Sequence, residues 1–162
     1  MWFIPQQSFY FGGDYTNQYD VVLDDYKVPF LLPTRVLVGD NICNNDEKVV
    51  ELLNRNYNLD SLADEFMYEV ALNTKSHVLG VFEIAHGTVN QMLVSPREVF
   101  QKALLVGAVA IILVHNHPSG NTAPSLDDKM IVKRIKEAGS IIGIDMLSFL
   151  IVGKDTFERI DG

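Results

Sequence analysis

The sequence predicts an α/β fold in which helices flank a mixed β-sheet. Segments rich in β-branched and aromatic residues alternate along the chain with amphipathic segments, which is the pattern of a layered α/β domain. The run 108–114 is short, apolar and uncharged, as expected for a strand that is buried on both faces. A turn-like segment between two strand-like segments adds a hairpin, so the sheet should contain both antiparallel and parallel neighbours.

The first half of the main domain predicts one helix and one hairpin. Asn45 and Asp46 can cap a helix whose apolar residues recur at helical spacing as far as Leu53. Strand-like residues fill 66–73 and 78–84, and the Asn-Thr-Lys-Ser segment at their junction has the composition of a turn. We therefore expect a helix followed by a β-hairpin.

Two further helices lie on either side of the buried strand in the sequence. The first begins at Ser95, whose hydroxyl can cap it, with proline in the first helical position and an acid in the first turn. The second is expected over about 126–138 and ends at Gly139, since glycine commonly terminates helices. Strand-like residues at 146–152 and 156–160 finish the chain.

The composition limits the partners and the compartment of this protein. With 162 residues, of which 48% are hydrophobic, the chain can bury one compact core. A net charge of −8 and a pI near 4.8 oppose broad contact with a phosphate backbone, so binding to nucleic acid is disfavoured but stays open. The single cysteine, Cys43, rules out an internal disulfide and a cysteine-rich zinc knuckle, and it favours a reducing, cytoplasmic setting.

The chain is expected to divide near residue 43. Residues 1–43 mix aromatic residues with glycine, asparagine and proline and predict an N-terminal extension, whereas residues 44–162 form the main domain. The extension covers apolar surface, adds edge strands or docks a partner, and the sequence does not choose between these roles. The start of the chain lacks the basic residues of a secretory signal, and no apolar run approaches the roughly 20 residues that cross a bilayer, so no membrane association is expected.

The residues that carry chemistry are concentrated in the segment His-Asn-His-Pro-Ser-Gly, which follows the buried strand. Because side chains alternate along an extended chain, His115 and His117 face the same way, with Cα atoms about 6 to 7 Å apart. Asp128 follows on the first turn of the last helix, from which its carboxylate can turn back toward the histidines. Two imidazoles and one carboxylate are the three protein ligands of a catalytic zinc site, which leaves a fourth position for water.

Two more side chains could serve a reaction of that water. Glu83, on an upstream strand, could take a proton from the water and pass it to a leaving amine, although Glu69 on the preceding strand is a competing acid. Ser125 could donate a hydrogen bond to the oxyanion that develops on an attacked carbonyl. Taken alone, a Ser-x-x-Asp pair at a helix start is also a capping box, and it can serve both purposes.

Taken together, the glutamate, the His-x-His pair, the serine and the aspartate resemble the JAB/JAMM (MPN) metalloprotease signature. The six residues HNHPSG and the segment 95–100 narrow the likeness to the RadC-like branch, and the resemblance covers roughly residues 66–153. It implies a sheet flanked by helices, similar to the cytidine-deaminase fold. It also implies zinc-dependent hydrolysis of peptide or isopeptide bonds.

The resemblance implies a role for each residue of the signature. His115, His117 and Asp128 would hold one Zn²⁺ ion. Glu83 would act as the acid/base and Ser125 as the oxyanion donor. The substrate would be a protein or peptide, and ubiquitin-like tails are among the substrates of JAMM relatives.

Two departures from the family pattern leave alternatives open. RadC-like chains usually read Asp-His where this chain has Ser148-Phe149, so any role of that pair is absent here. We also find no helix-hairpin-helix segment ahead of these motifs, which weakens the DNA-repair role that family members have inherited. A DNA-repair or mobile-element accessory protein and a non-catalytic protein-binding module remain the alternatives to a peptidase. The sequence carries no signal for an oligomeric state.

Overall fold

The structure is a computed structural model that describes residues 14–87 and 94–160. Within these residues, seven strands form one mixed sheet and three α-helices pack against it. In chain order, the elements are β1 (Tyr15–Leu23), β2 (Pro29–Val38), α1 (Asp46–Tyr57), a single 3₁₀ turn (Leu59–Ser61), β3 (Glu65–Leu72), β4 (Val78–Gly87), α2 (Pro96–Val106), β5 (Ala110–Asn116), α3 (Leu126–Ile142), β6 (Asp145–Gly153) and β7 (Thr156–Ile160). The predicted α/β class, with helices flanking a mixed sheet, is confirmed.

The strands lie in the order β2-β1-β4-β3-β5-β6-β7. The predicted hairpin forms β3 and β4, which are antiparallel, and β3 also pairs antiparallel with β5. The predicted buried strand is β5, all seven residues of which are buried, and it runs parallel to β6. The predicted hairpin and the predicted buried strand therefore form the middle of the sheet.

The described part of residues 1–43 forms the outermost two strands on one side of the same sheet, of which β2 is the edge strand. β1 and β2 pair antiparallel, and β1 joins β4 in parallel through the pair Gln18 and Val81. The side-chain amide of Asn56 in α1 accepts from the N–H of Val38 and donates to its carbonyl, both at 2.9 Å, which ties the edge strand to the helix. Of the three roles considered for the extension, the structure shows the edge strands; residues 1–13 lie outside the described residues.

The sheet separates two hydrophobic cores. One lies between the sheet and helices α2 and α3 and contains the buried rings of Phe82, Phe100 and Phe149. The other lies between the sheet and α1 and contains Leu53 and Val70. Because side chains alternate along each strand, neighbouring residues of β3 and β5 belong to different cores. We name the two sides of the sheet the α2/α3 face and the α1 face.

The predicted end of the last helix is wrong. α3 runs through Gly139 to Ile142 and is capped by Gly143, whose φ of 84° is left-handed. A Cβ atom at position 139 would collide with the backbone carbonyl of Ile144 and lie 3.2 Å from the ring of Phe100. The first glycine therefore permits close packing of the helix, and the second terminates it.

No helix among the described residues combines the length and the apolar content needed to cross a bilayer.

Candidate metal centre

The two histidines of the predicted site lie at the carboxyl end of β5, near the middle of the sheet. His115 is only 3% exposed and sits on the α2/α3 face, opposite Met67 of β3. The rings of His115 and His117 meet edge to face, with centroids 4.6 Å apart. The alternation expected from the sequence thus places both imidazoles on one side of the chain.

Asn116, between the two histidines, fixes the end of β5 to the start of β3. Its Oδ1 accepts a hydrogen bond from the backbone N–H of Phe66 at 2.7 Å, and its Nδ2 donates to the backbone carbonyl of Asp64 at 3.0 Å. These two backbone groups flank Glu65. The amide therefore holds Glu65 beside the histidines.

Asp128 reaches the histidines from the first turn of α3. The Nε2 atom of His115 lies 3.3 Å from Asp128 Oδ1, and the Nε2 atom of His117 lies 3.6 Å from Asp128 Oδ2. The structure therefore brings together the three residues that the spacing selected as ligands. Their role as metal ligands stays a prediction.

Ser125 forms a capping box with the same aspartate. The Ser125 Oγ accepts from the Asp128 N–H at 3.1 Å, and Asp128 Oδ2 accepts from the Ser125 N–H at 2.7 Å. The hydroxyl also donates its proton to Asp128 Oδ2 at 2.6 Å. The capping interpretation is thus observed, and the oxyanion role of Ser125 stays a prediction.

The acid beside the histidines is Glu65, which the sequence did not lead us to select. One carboxylate oxygen of Glu65 and one ring nitrogen from each of His115 and His117 all lie within 4.8 Å of one another. Glu65 is the first residue of β3 and is 4% exposed. Because β3 is antiparallel to β5, its start lies beside the end that carries the histidines. The sequence signal was an acid directly before the predicted hairpin, and this signal does not by itself identify β5 as the neighbouring strand.

Glu83 does not lie at this site, and the expectation that it would is corrected. In β4 it is exposed and lies opposite Tyr68, which belongs to the core on the α1 face. Cross-strand neighbours point to the same side of a sheet, so Glu83 also points to the α1 face, away from His115. A β-bulge after Met67 sets this register. Burial, followed by the charge of Glu83, raises the pKa of Tyr68 to about 12.

The second ring nitrogens of the two histidines have different surroundings. The Nδ1 of His117 lies 2.6 Å from the backbone carbonyl of Asn121, which can only accept, so this nitrogen carries the hydrogen. The Nδ1 of His115 is buried and has no hydrogen-bond partner among the described residues. Within the same residues, neither carboxyl oxygen of the fully buried Glu69 has a partner.

The pKa values of the two carboxyl groups of the site are shifted in opposite directions. Burial alone would raise the pKa of Asp128, but hydrogen bonds from His115, His117 and Ser125 outweigh it and hold that pKa well below its ordinary value. Burial raises the pKa of Glu65, and the nearby imidazoles oppose this effect. A carboxyl group with a raised pKa suits proton transfer, whereas a group that stays ionised suits a metal.

The donor set fits one Zn²⁺ ion. Zinc is bound in proteins by imidazole nitrogens and carboxylate oxygens, and three such ligands leave a position open for catalysis. The Nε2 atoms of His115 and His117 and the carboxylate of Asp128 would provide these ligands, and Glu65 is a further acid within reach of both histidines. The hydrogen bond from His117 Nδ1 to a carbonyl is the support that metal-bound histidines ordinarily have.

A mixed sheet flanked by helices, with a His-x-His pair at the end of β5 and an aspartate on the first turn of α3, is the arrangement of a JAB-type domain. The family model described as the RadC-like JAB domain matches residues 43–159. The chain belongs to this family.

The chain is also similar to several curated bacterial proteins that share the name UPF0758 protein. The protein from Moorella thermoacetica is 46% identical over 106 residues, which cover 61% of this chain and 46% of that protein. The protein from Rubrobacter xylanophilus is 44% identical over 98 residues, which cover 60% of this chain and 43% of that protein. The chain thus spans about half the length of the curated relatives it matches. Their name states no activity.

Proposed function

We propose that this chain is a zinc-dependent metallohydrolase of the JAMM type, which hydrolyses peptide or isopeptide bonds. The observation that carries the proposal is the convergence of His115, His117 and Asp128 with the buried acid Glu65. Membership of the RadC-like JAB family supports the same class of chemistry. When bound, the zinc ion would supply a Lewis acid that activates water and polarises a carbonyl.

Each residue of the site has one task in this proposal. His115, His117 and Asp128 hold the ion. Glu65 takes the proton from the attacking water and gives it to the leaving amine, which is the task that the sequence had assigned to Glu83. Its buried position beside both imidazoles favours this role. Ser125 orients Asp128 through its hydroxyl, and it serves as oxyanion donor only if that hydroxyl rotates away from the carboxylate.

The proposed substrate is a protein or peptide, and a ubiquitin-like tail is one candidate. The net charge of −8 supports this choice over nucleic acid, because contact with a phosphate backbone requires clustered positive charge. The matched relatives are about twice as long as the aligned segment, so the substrates and partners of a whole protein of this kind belong to the proposal as well.

The test combines zinc analysis with two glutamate variants. Elemental analysis should find one zinc ion per chain, and chelation should abolish hydrolysis of fluorogenic peptides or of isopeptide-linked ubiquitin-like tails. Glu65→Gln should lower turnover by about 10²- to 10⁴-fold while the zinc content stays the same, because a general base is lost and the ligands are kept. Glu83→Gln is the matched control from the same hairpin, and its turnover should stay within about twofold of wild type, as expected for an exposed position.

Other results would point elsewhere. A wild-type chain that binds no zinc contradicts the proposal. A chain that binds zinc but shows no turnover above that of Glu65→Gln on any peptide or isopeptide is a binding module. Affinity for DNA that falls steeply with salt would favour the accessory role.

A further inference from the structure

The two histidines of the site are supported unequally. A histidine that binds a metal through Nε2 carries a hydrogen on Nδ1, and that N–H almost always donates to a carbonyl, a carboxylate or water. His117 has such an acceptor in the backbone carbonyl of Asn121. His115, the more deeply buried of the two, has none among the described residues.

The residues directly opposite His115 on the two neighbouring strands do not supply the missing acceptor. Its cross-strand neighbours on the same face are Met67 in β3 and Ile151 in β6, and neither side chain has a strong acceptor. The ring of Phe149, at a centroid distance of 6.3 Å, has no acceptor atom either. An imidazole N–H buried among such groups would lose free energy for want of a partner.

Glu69 is a second acid on the same face, besides the Glu65 of the proposed centre. It lies opposite Leu113, two residues before His115 in β5, so Glu69 and His115 are diagonal neighbours across an antiparallel pair. Diagonal neighbours have Cβ atoms less than about 7 to 8 Å apart, a distance that long side chains can span. Glu69 is fully buried and both of its carboxyl oxygens lack a partner among the described residues. An unpaired acceptor and an unpaired nitrogen therefore belong to diagonal neighbours on one face of the sheet, and no hydrogen bond joins them as their side chains stand.

A purely structural partner for Glu69 would be Lys102 on α2. Its charge acts on the carboxyl, but burial has the larger effect and raises the pKa of Glu69 well above its ordinary value. No hydrogen bond joins the two side chains, since neither carboxyl oxygen has a partner among the described residues. Lys102 is therefore an alternative partner that, like His115, makes no hydrogen bond to Glu69 in this structure, and the experiment below tests it as a control.

We propose that Glu69 is a positioning residue for the metal centre, in which its carboxyl group accepts a hydrogen bond from Nδ1–H of His115 and so directs Nε2 toward zinc. This inference rests on the proposed function, because it assigns a support to one of the proposed zinc ligands. It gives both unpaired groups a partner.

The experiment measures zinc affinity by competition with a chromophoric chelator. Glu69→Met removes the acceptor and puts an apolar side chain of similar length in its place. It should weaken zinc binding about 10- to 100-fold. Glu69→Gln keeps an acceptor oxygen and should weaken binding less. Lys102→Met is the matched control, because it removes the charge that acts on Glu69 from α2, and its zinc affinity should equal that of wild type.

Two further measurements distinguish a role of Glu69 in orienting His115 from a role in packing of the core. The Glu69→Met chain, prepared with chelator, should melt at the same or a higher temperature than wild type, because an unpaired buried carboxyl has been removed. Nuclear magnetic resonance of the zinc-bound wild type should show a slowly exchanging Nδ1–H on His115, and its chemical shift should move in Glu69→Gln. This second readout applies even if Glu69→Met does not fold.

Equal zinc affinity in a folded Glu69→Met chain, or a His115 Nδ1–H that exchanges freely or is unmoved by Glu69→Gln, overturns the role of Glu69 and leaves the metallohydrolase proposal standing. A Lys102→Met chain that loses zinc as Glu69→Met does would show that the pair supports the core instead. A wild-type chain that binds no zinc overturns both proposals.

Discussion

Buried polar side chains of the strands on the two faces of the sheet differ in whether they have hydrogen-bond partners. On the α1 face, Ser148 donates a hydrogen bond of 2.6 Å to Asp46, which also accepts one of 3.1 Å from Arg159. On the α2/α3 face, Glu69 and one nitrogen of His115 are buried without a partner among the described residues. On the α1 face, the hydrogen bond between Ser148 and Asp46 holds α1 to the sheet. A polar group that is buried without a partner costs stability, so its presence calls for an explanation such as an ordered water, a ligand or a reaction.

The largest expected effect is on zinc affinity, when a proposed ligand is removed from the α2/α3 face. Asp128→Asn should weaken zinc binding by more than about 100-fold, since loss of a ligand should exceed the 10- to 100-fold effect of losing an outer support. Chelator competition measures the affinity. Asp127→Asn, one residue earlier and exposed, is the control and should bind zinc normally. Equal affinities for the two variants would remove Asp128 from the ligand set.

The same aspartate should make the stability of the chelator-treated chain depend on pH. The pKa of Asp128 is depressed in the folded state, so its contribution is present above its unfolded value of 3.8 and is lost as the pH falls. The pKa of His117 is raised, chiefly by its hydrogen bond with Asp128 and against burial, so its contribution is present below 6.5 and is lost as the pH rises.

Wild type should therefore exceed Asp128→Asn in unfolding free energy most strongly between about pH 4 and pH 6.5, by roughly 2 to 3 kcal/mol, and by less above neutral pH. Urea denaturation across this range measures the difference. A gap that does not change with pH would show that the pair is not coupled in this way.

The smallest effect is expected on the α1 face. Asp46→Ala removes an acceptor shared by Ser148 and Arg159, and it should lower the unfolding free energy by about 1 to 2 kcal/mol without changing zinc affinity. Urea denaturation and chelator competition check the two parts. Glu47→Ala, the exposed neighbour in the same helix turn, should be close to neutral. A loss of zinc affinity in Asp46→Ala would end the distinction between the faces.

The parts of the molecule that follow from local rules could be predicted from the sequence. The convergence of His115 and His117 follows from strand alternation, and Asp128 follows from a capping box that places it on the first turn of α3. The hairpin and the buried strand could likewise be predicted from the types of residue in their segments. These features depend on contacts between residues close in the chain.

The features that could not be predicted depend on the register between distant strands. Glu65 meets the histidines because β3 starts where β5 ends, and Glu83 faces away because of a single bulge. Neither the pairing nor the bulge has a local signature. Gly139 was mistaken for a helix end because its close contact is with a carbonyl beyond the helix. In each case the deciding neighbour was set by the fold.

The side-chain amide of Asn116 has a mechanical consequence for the site. By bonding to backbone groups on both sides of Glu65, it joins the acid and the imidazoles into one rigid body, although they are about fifty residues apart in sequence. Strain or thermal motion in the surrounding loops would therefore displace these groups together. A cation bound at the proposed site would therefore need little rearrangement of the backbone around Glu65 and the two histidines.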